Sequence, residues 1–263
     1  FRAMAAIISG NEPLPRPSAK QIRTIWYVCV LAALALTFNY YAARLYGPWL
    51  ALNAMRSLGV LNPNQTLDDL AGRDGHLVDM IWWSLANASG YLVPPLLWLI
   101  VRGEKIIPGM GWTTHGLRHH WPIYLMMAAV MVPALYWATH QERFLDHYPF
   151  YKIATDVPLW PRQLIWELAY SFQFFALESF FRGFLIGQLG KAIGCLAVPA
   201  AMIPYCMIHF GKPLPETIAS IIAGLGLGTL SYRSGCIWPG AVLHIAVAIT
   251  MDMASLAHQG RFS

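Results

Sequence analysis

Glu178 and Arg182 stand four residues apart in Phe-Phe-Ala-Leu-Glu-Ser-Phe-Phe-Arg-Gly-Phe-Leu-Ile, residues 174 to 186, a run otherwise apolar enough to lie within a bilayer. A carboxylate and a guanidinium at that depth are costly unless paired and turned toward protein or a wet cavity, so they mark a functional site by default. Downstream, His209 and His244 fall in two further apolar stretches, with Glu167, Glu216 and Asp252 in or beside the same region. A carboxylate with two imidazoles can activate water and polarise a carbonyl. The same three side chains, Glu178, His209 and His244, could instead hold a divalent metal such as zinc with one open position. A plain ion pair between Glu178 and Arg182, neutralising both without chemistry, is the competing explanation for that pair.

The elements that must position these groups are membrane helices. Of 263 residues, 57% are hydrophobic and 12% charged, about half the charged fraction of an ordinary soluble domain. Apolar stretches long enough to cross a bilayer, roughly 20 residues each, occur at 22–45, 77–101, 121–139, 162–189, 192–210, 215–233 and 236–257. The expected fold is an all-α polytopic bundle of about seven spans. A polar tail covers 1–21, spans with interfacial segments cover 22–160, a compact four-helix core covers 161–258 and a short tail ends the chain at 259–263. The first span follows a tail without a small-residue cleavage site and reads as a retained anchor.

Within this frame, Leu50 to Leu58 form a short amphipathic piece, and the aromatic-rich connection 140–161 is expected along the membrane surface. Ser220, Gly224 and Gly228 give one helix a small-residue packing face. Eleven Trp and twelve Tyr suit interfacial belts. The net charge of +5 is scattered in ones and twos, which favours anionic lipid over nucleic acid as its counterpart. The basic residues of the tail and of the second connection favour an N-terminus inside. The four cysteines have no metal-ligand spacing and are expected as free thiols.

Glu178-Ser-Phe-Phe-Arg182-Gly183, Tyr205-x-x-x-His209 and His244, on consecutive spans, resemble the CPBP family of intramembrane endopeptidases. That family includes CAAX prenyl proteases and proteins linked to bacteriocin processing. Its pattern is Glu-Glu-x-x-x-Arg, then Phe-x-x-x-His, then His-x-x-x-Asn. Here Leu177 stands at the first Glu and Ala248 at the Asn, and the matched region is roughly 162–257.

The resemblance implies hydrolysis of a peptide bond by glutamate- and histidine-activated water in a cavity of the last four spans. Glu178 would activate water, Arg182 would be its charge partner, His209 would assist the base and His244 would stabilise the oxyanion. Asp252 and Glu216 would support them, with Asp252 orienting His244 or capping a polar cavity. The expected partners are the lipid bilayer and a membrane-associated peptide or protein substrate, and the expected setting is a bacterial inner membrane. Leu177 and Ala248 motivate an alternative, a catalytically inactive scaffold, assembly factor or accessory subunit of a larger membrane complex. A proton-coupled transporter would need two related halves, and the sequence has no internal repeat.

Overall fold

The computed structural model describes residues 17–45, 47–114 and 117–262; the expected polar tail lies outside them as far as residue 16. In chain order the helices are α1 (Ala19–Phe38), a π-helical continuation (Asn39–Leu45), α2 (Trp49–Ser57), α3 (Leu67–Ala71), α4 (Gly75–Val101), α5 (Ile106–Gly109), α6 (Leu117–Ala138) and α7 (Glu142–His147). Then come α8 (Arg162–Glu178), a second π segment (Ser179–Leu185), α9 (Ile186–Ile193), α10 (Ala197–Met207), α11 (Leu214–Ser234) and α12 (Trp238–His258). Among the described residues there is no strand, only one isolated bridge between Trp112 and Cys236.

Among the described residues six helical stretches are long and apolar enough to cross a membrane, where the sequence predicts seven spans. The difference lies in Arg162–Met207, which is a single stretch by length and composition but contains two of the expected spans. Gly194 ends α9 at φ 60°, a conformation open to glycine without strain. A single 3-10 turn, Gly194–Leu196, leads into α10, which packs back against α9 and the π segment. The hairpin is therefore too tight to register as a connection. The protein is an integral membrane protein with an all-α core, and side chains such as Leu34, Val132, Ile222 and Val242 present exposed apolar surface for lipid.

Sequence chemistry sets several helix ends. Ser18 caps α1, accepting from the Gln21 backbone while the Gln21 side chain returns to the cap, which satisfies two otherwise orphaned groups. Gly235, left-handed at φ 65°, closes α11. The predicted small face of α11 is used as expected. A Cβ on Gly224 would come within 2.9 Å of Met202, and one on Gly228 within 3.1 Å of Ile186 and Val198. That close approach seats α10, with its Tyr205, against α11.

The connection 140–161 is anchored to the bundle. Phe144, Tyr148 and Tyr151 are 3%, 1% and 3% exposed, because α12 and the residues that follow it capture the strap by its backbone. Asp252 accepts from the Phe150 N–H at 2.7 Å, Ser255 donates to Tyr148 O at 2.6 Å, and Arg261 donates to the carbonyls of Ile153, Ala154 and Val157. All four cysteines are free.

At the opposite face Glu104 ties three elements together. It accepts from Gln188 at 2.9 Å and Lys191 at 2.6 Å, both on α9, lies 3.4 Å from Arg102, and the Lys191 carbonyl accepts from Gln21 of α1. Burial alone would raise the Glu104 carboxyl, but the hydrogen bonds from Lys191 and Gln188 and the neighbouring cations hold it below its ordinary value. A depressed carboxyl contributes stability above its unfolded pKa, about 4.3, and loses it as pH falls through the folded value. Glu104→Gln is therefore expected to lower stability by at most about 1 kcal/mol at pH 7, with the difference from wild type shrinking in acid. Thermal unfolding in micelles at pH 7 and below pH 4 reads this out; an unchanged difference would show that the cluster's charge contributes nothing.

Candidate active site

The site is built where α8 widens into its second π segment, Ser179–Leu185, every residue of which is buried. Such widenings occur mostly as local bulges and frequently at functional sites. The residues that hold it are specific. A Cβ on Gly183 would lie 2.0 Å from Met110 O and 3.1 Å from Gly111 N, so only glycine lets the loop after α5 approach. Trp112 in that loop donates to Ser179 Oγ at 2.8 Å, and Ser179 in turn donates to Phe175 O at 2.9 Å. The Trp112 carbonyl accepts from Trp238, and Gly111 O accepts from Ile237 N at 3.0 Å. Rings of Trp112, Phe175 and Trp238 stack in series. The loop is a wedge that fixes the first turn of α12, and with it His244, against the motif helix.

Glu178 is 0% and Arg182 4% exposed. His244 Nδ1 lies 2.8 Å from Glu178 Oε1, and the same oxygen lies 3.3 Å from Arg182 Nη1. The Arg182 guanidinium sits 3.7 Å over the Tyr205 ring, a cation–π contact strengthened by desolvation. His209 Nδ1 is bonded to Tyr205 O at 2.8 Å. The Tyr205 ring lies between the two imidazoles, 4.8 Å from His209 and 6.3 Å from His244, and Phe174 covers His244 at 4.4 Å. Glu178, Arg182, His209 and His244 are thus brought to one centre around Tyr205. Among the described residues Glu178 Oε2 and both terminal nitrogens of Arg182 have no well-aligned hydrogen-bond partner. Oε2 faces the bare backbone of Gly240, where a Cβ would sit 3.6 Å away.

The supporting residues fall differently. Glu216 stands one turn after Lys212, which contacts its Oε1 at 2.5 Å, while Tyr148 donates to Oε2 at 2.8 Å. Thr217 Oγ1 and Lys212 N both donate to His209 O, so this network holds the loop carrying His209. A cavity of about 610 Å3 opens between that loop and α7, lined by Arg143, Asp146, His147, Phe210, Lys212 and Thr217 among others.

Asp252 does not orient His244; Glu178 does. Asp252 accepts from Phe150 N and from Trp166 Nε1 at 2.9 Å, and Glu167 lies beside it, accepting from Gln163 at 2.8 Å. The two turns of helix that separate Asp252 from His244 place it under the aromatic layer of Trp166 and Tyr170 instead. No three His, Cys, Asp or Glu side chains among the described residues lie close enough together to hold a metal ion. The set Glu178, His209 and His244 does not fit a zinc centre here, since His244 and Arg182 already occupy Glu178 Oε1 and His209 is tied to a carbonyl.

Sequence reasoning did not single out Trp112, and it read Tyr148 only as one of the aromatics of the connection 140–161. Trp112 had one signal, a tryptophan directly after Gly111 in a connection between two spans.

Residues 160–250, about a third of the chain, match the family model described as Rce1-like, type II CAAX prenyl endopeptidase. Glu178, Arg182, His209 and His244 all lie inside that stretch, and Asp252 lies just beyond it. The resemblance carried by the motif residues is borne out over this region. No curated protein matches the chain, and no solved structure does.

Proposed function

We propose that this protein is an intramembrane endopeptidase of the CPBP type, which hydrolyses a peptide bond with water activated by Glu178, His209 and His244. One observation carries the reading: the 2.8 Å contact between His244 and Glu178, on an oxygen shared with Arg182, within the stretch that matches the prenyl endopeptidase family. Amide hydrolysis needs a proton acceptor for water, charge stabilisation for the oxyanion and a proton donor for the leaving amine. A carboxylate, two imidazoles and a guanidinium gathered around one ring include each of these chemistries. The substrate class that the family's name indicates is a prenylated protein ending in a CAAX sequence, whose isoprenoid would share the bilayer with the bundle.

The test uses the full-length protein in vesicles with a fluorogenic CAAX peptide farnesylated on its cysteine. Glu178→Gln and His209→Ala are each expected to lower cleavage by about 100-fold or more. Intact cleavage by both variants would rule the mechanism out.

A second reading, a non-catalytic scaffold in a larger membrane complex, is favoured by Leu177 and Ala248. Leu177 is 3% exposed in the apolar core with Tyr91, Phe180 and Phe181, and Ala248 lies in the aromatic cluster with Trp166 and Tyr170. Neither position places a polar group at the site. That reading predicts no cleavage by the wild-type protein and stoichiometric co-purification with a large membrane partner.

A further inference from the structure

Hydrogen bonding fixes which imidazole nitrogens can take a proton. A carbonyl oxygen only accepts, so His209 Nδ1 carries the hydrogen donated to Tyr205 O and leaves Nε2 with its lone pair. Arg182 is charged at every accessible pH, and Glu178, 3.3 Å away, is its carboxylate counterion. Glu178 therefore accepts and His244 Nδ1 donates, which leaves His244 Nε2 as the second basic nitrogen. The two imidazoles differ in what backs them. Behind His209 stands a neutral carbonyl, whereas behind His244 stands a carboxylate able to stabilise the imidazolium that protonation creates.

We propose that His244 Nε2 takes the proton from water, and that the buried Glu178–Arg182 pair is a fixed dipole serving the two charges formed in that step. The proposal rests on the endopeptidase reading. A water O–H bond breaks, its proton passes to His244 Nε2, and the oxygen bonds to the scissile carbonyl carbon. One positive charge appears on His244, beside Glu178. One negative charge appears on the carbonyl oxygen, for which the Arg182 guanidinium, paired with Glu178 through Nη1, is the fixed cation. On collapse the C–N bond breaks and the imidazolium returns its proton to the leaving amine, giving a carboxyl and an amine product and restoring neutral His244.

Before and after addition the site carries no net charge, so a dipole set by folding is already oriented for the transition state. Relative to the roles that the resemblance implies, the base moves from Glu178 to His244 and the oxyanion partner from His244 to Arg182. Leu177 motivates the change, because the position of the family's first Glu lies in apolar core. Glu178 becomes a positioning residue that acts through His244. The charged and titratable groups facing this centre are Arg182, Tyr205, His209, Tyr124 and, beyond His209, the Lys212–Glu216 pair.

The test measures kcat and KM for the farnesylated CAAX peptide at neutral pH, with the full-length protein in vesicles. Glu178→Gln should lower kcat about 10²- to 10³-fold, with KM changed less than about threefold. His244→Gln should lower kcat more than about 10³-fold. The double variant Glu178→Gln/Arg182→Met, which deletes both charges together, should unfold within a few degrees of wild type yet lose kcat about 10³-fold.

A Glu178→Gln variant as inactive as His244→Gln, or a double variant with wild-type kcat, would each overturn this assignment while leaving the endopeptidase reading in place. No cleavage by the wild-type protein removes both.

Discussion

Arg182→Ala is expected to destabilise the folded protein by about 3–5 kcal/mol, the range found when one partner of a buried ion pair is removed. The guanidinium offsets a carboxylate that has no access to solvent, and its flat face rests on Tyr205. Removing it strands Glu178 with only His244 and opens a cavity beneath the ring. Deleting both charges removes the source of the cost, since replacing a whole buried pair by groups of similar volume is often neutral or stabilising. Chemical or thermal unfolding of Arg182→Ala and of the double variant in the same micelles separates the two cases. A loss under about 1 kcal/mol for the single variant would mean that Glu178 finds another counterion, contrary to the geometry around it.

Gly183→Ala is expected to cost about 3 kcal/mol or more, the upper end of what overpacking does. The added methyl would meet the Met110 carbonyl and the Gly111 amide, which are backbone and cannot rotate away. Relief requires the wedge loop to leave the π segment. The Trp112–Ser179 and Trp238–Trp112 hydrogen bonds would then lengthen or break, and His244 would lose its fixed distance to Glu178. Gly187, one turn further on, is the internal control. Nothing lies within 4 Å of a Cβ there, so Gly187→Ala should gain about 0.5–1 kcal/mol from helix propensity alone. Equal unfolding midpoints for the two variants would show that the loop does not pack as described.

The sequence carried the class of the fold and much of the site, for identifiable reasons. Spans announce themselves by local composition, and Glu178, Arg182, His209 and His244 are conspicuous because charge and imidazole are costly among apolar residues. What escaped depends on contacts between residues far apart in the chain. Asp252 looked like a partner for His244 because both lie on one helix, yet its partners come from residues 150 and 166. The aromatic strap was legible from its composition, but its backbone capture by Ser255, Asp252 and Arg261 was not, because those residues lie about a hundred positions away. The hairpin at Gly194 was legible as two spans, and only the tightness of its turn merges them by length.

The π segment has one more consequence, which concerns phase. A helix that takes on about one extra residue per wide turn restarts its 3.6-residue rhythm roughly 100° out of step. Below Ser179 the rhythm is set by α4 and α12, against which α8 packs; above Leu185 it is set by α1, α10 and α11 around α9. One unbroken rod thus keeps two appointments that a regular helix could not keep together, with Glu178 turned to His244 at one end and Gln188 and Lys191 turned to Glu104 at the other. Loss of a single residue between 183 and 185 would leave a straighter helix and the same charges. It would also swing the upper end away from the N-terminal helices, so the spacing through this motif is as much a constraint as the residues in it.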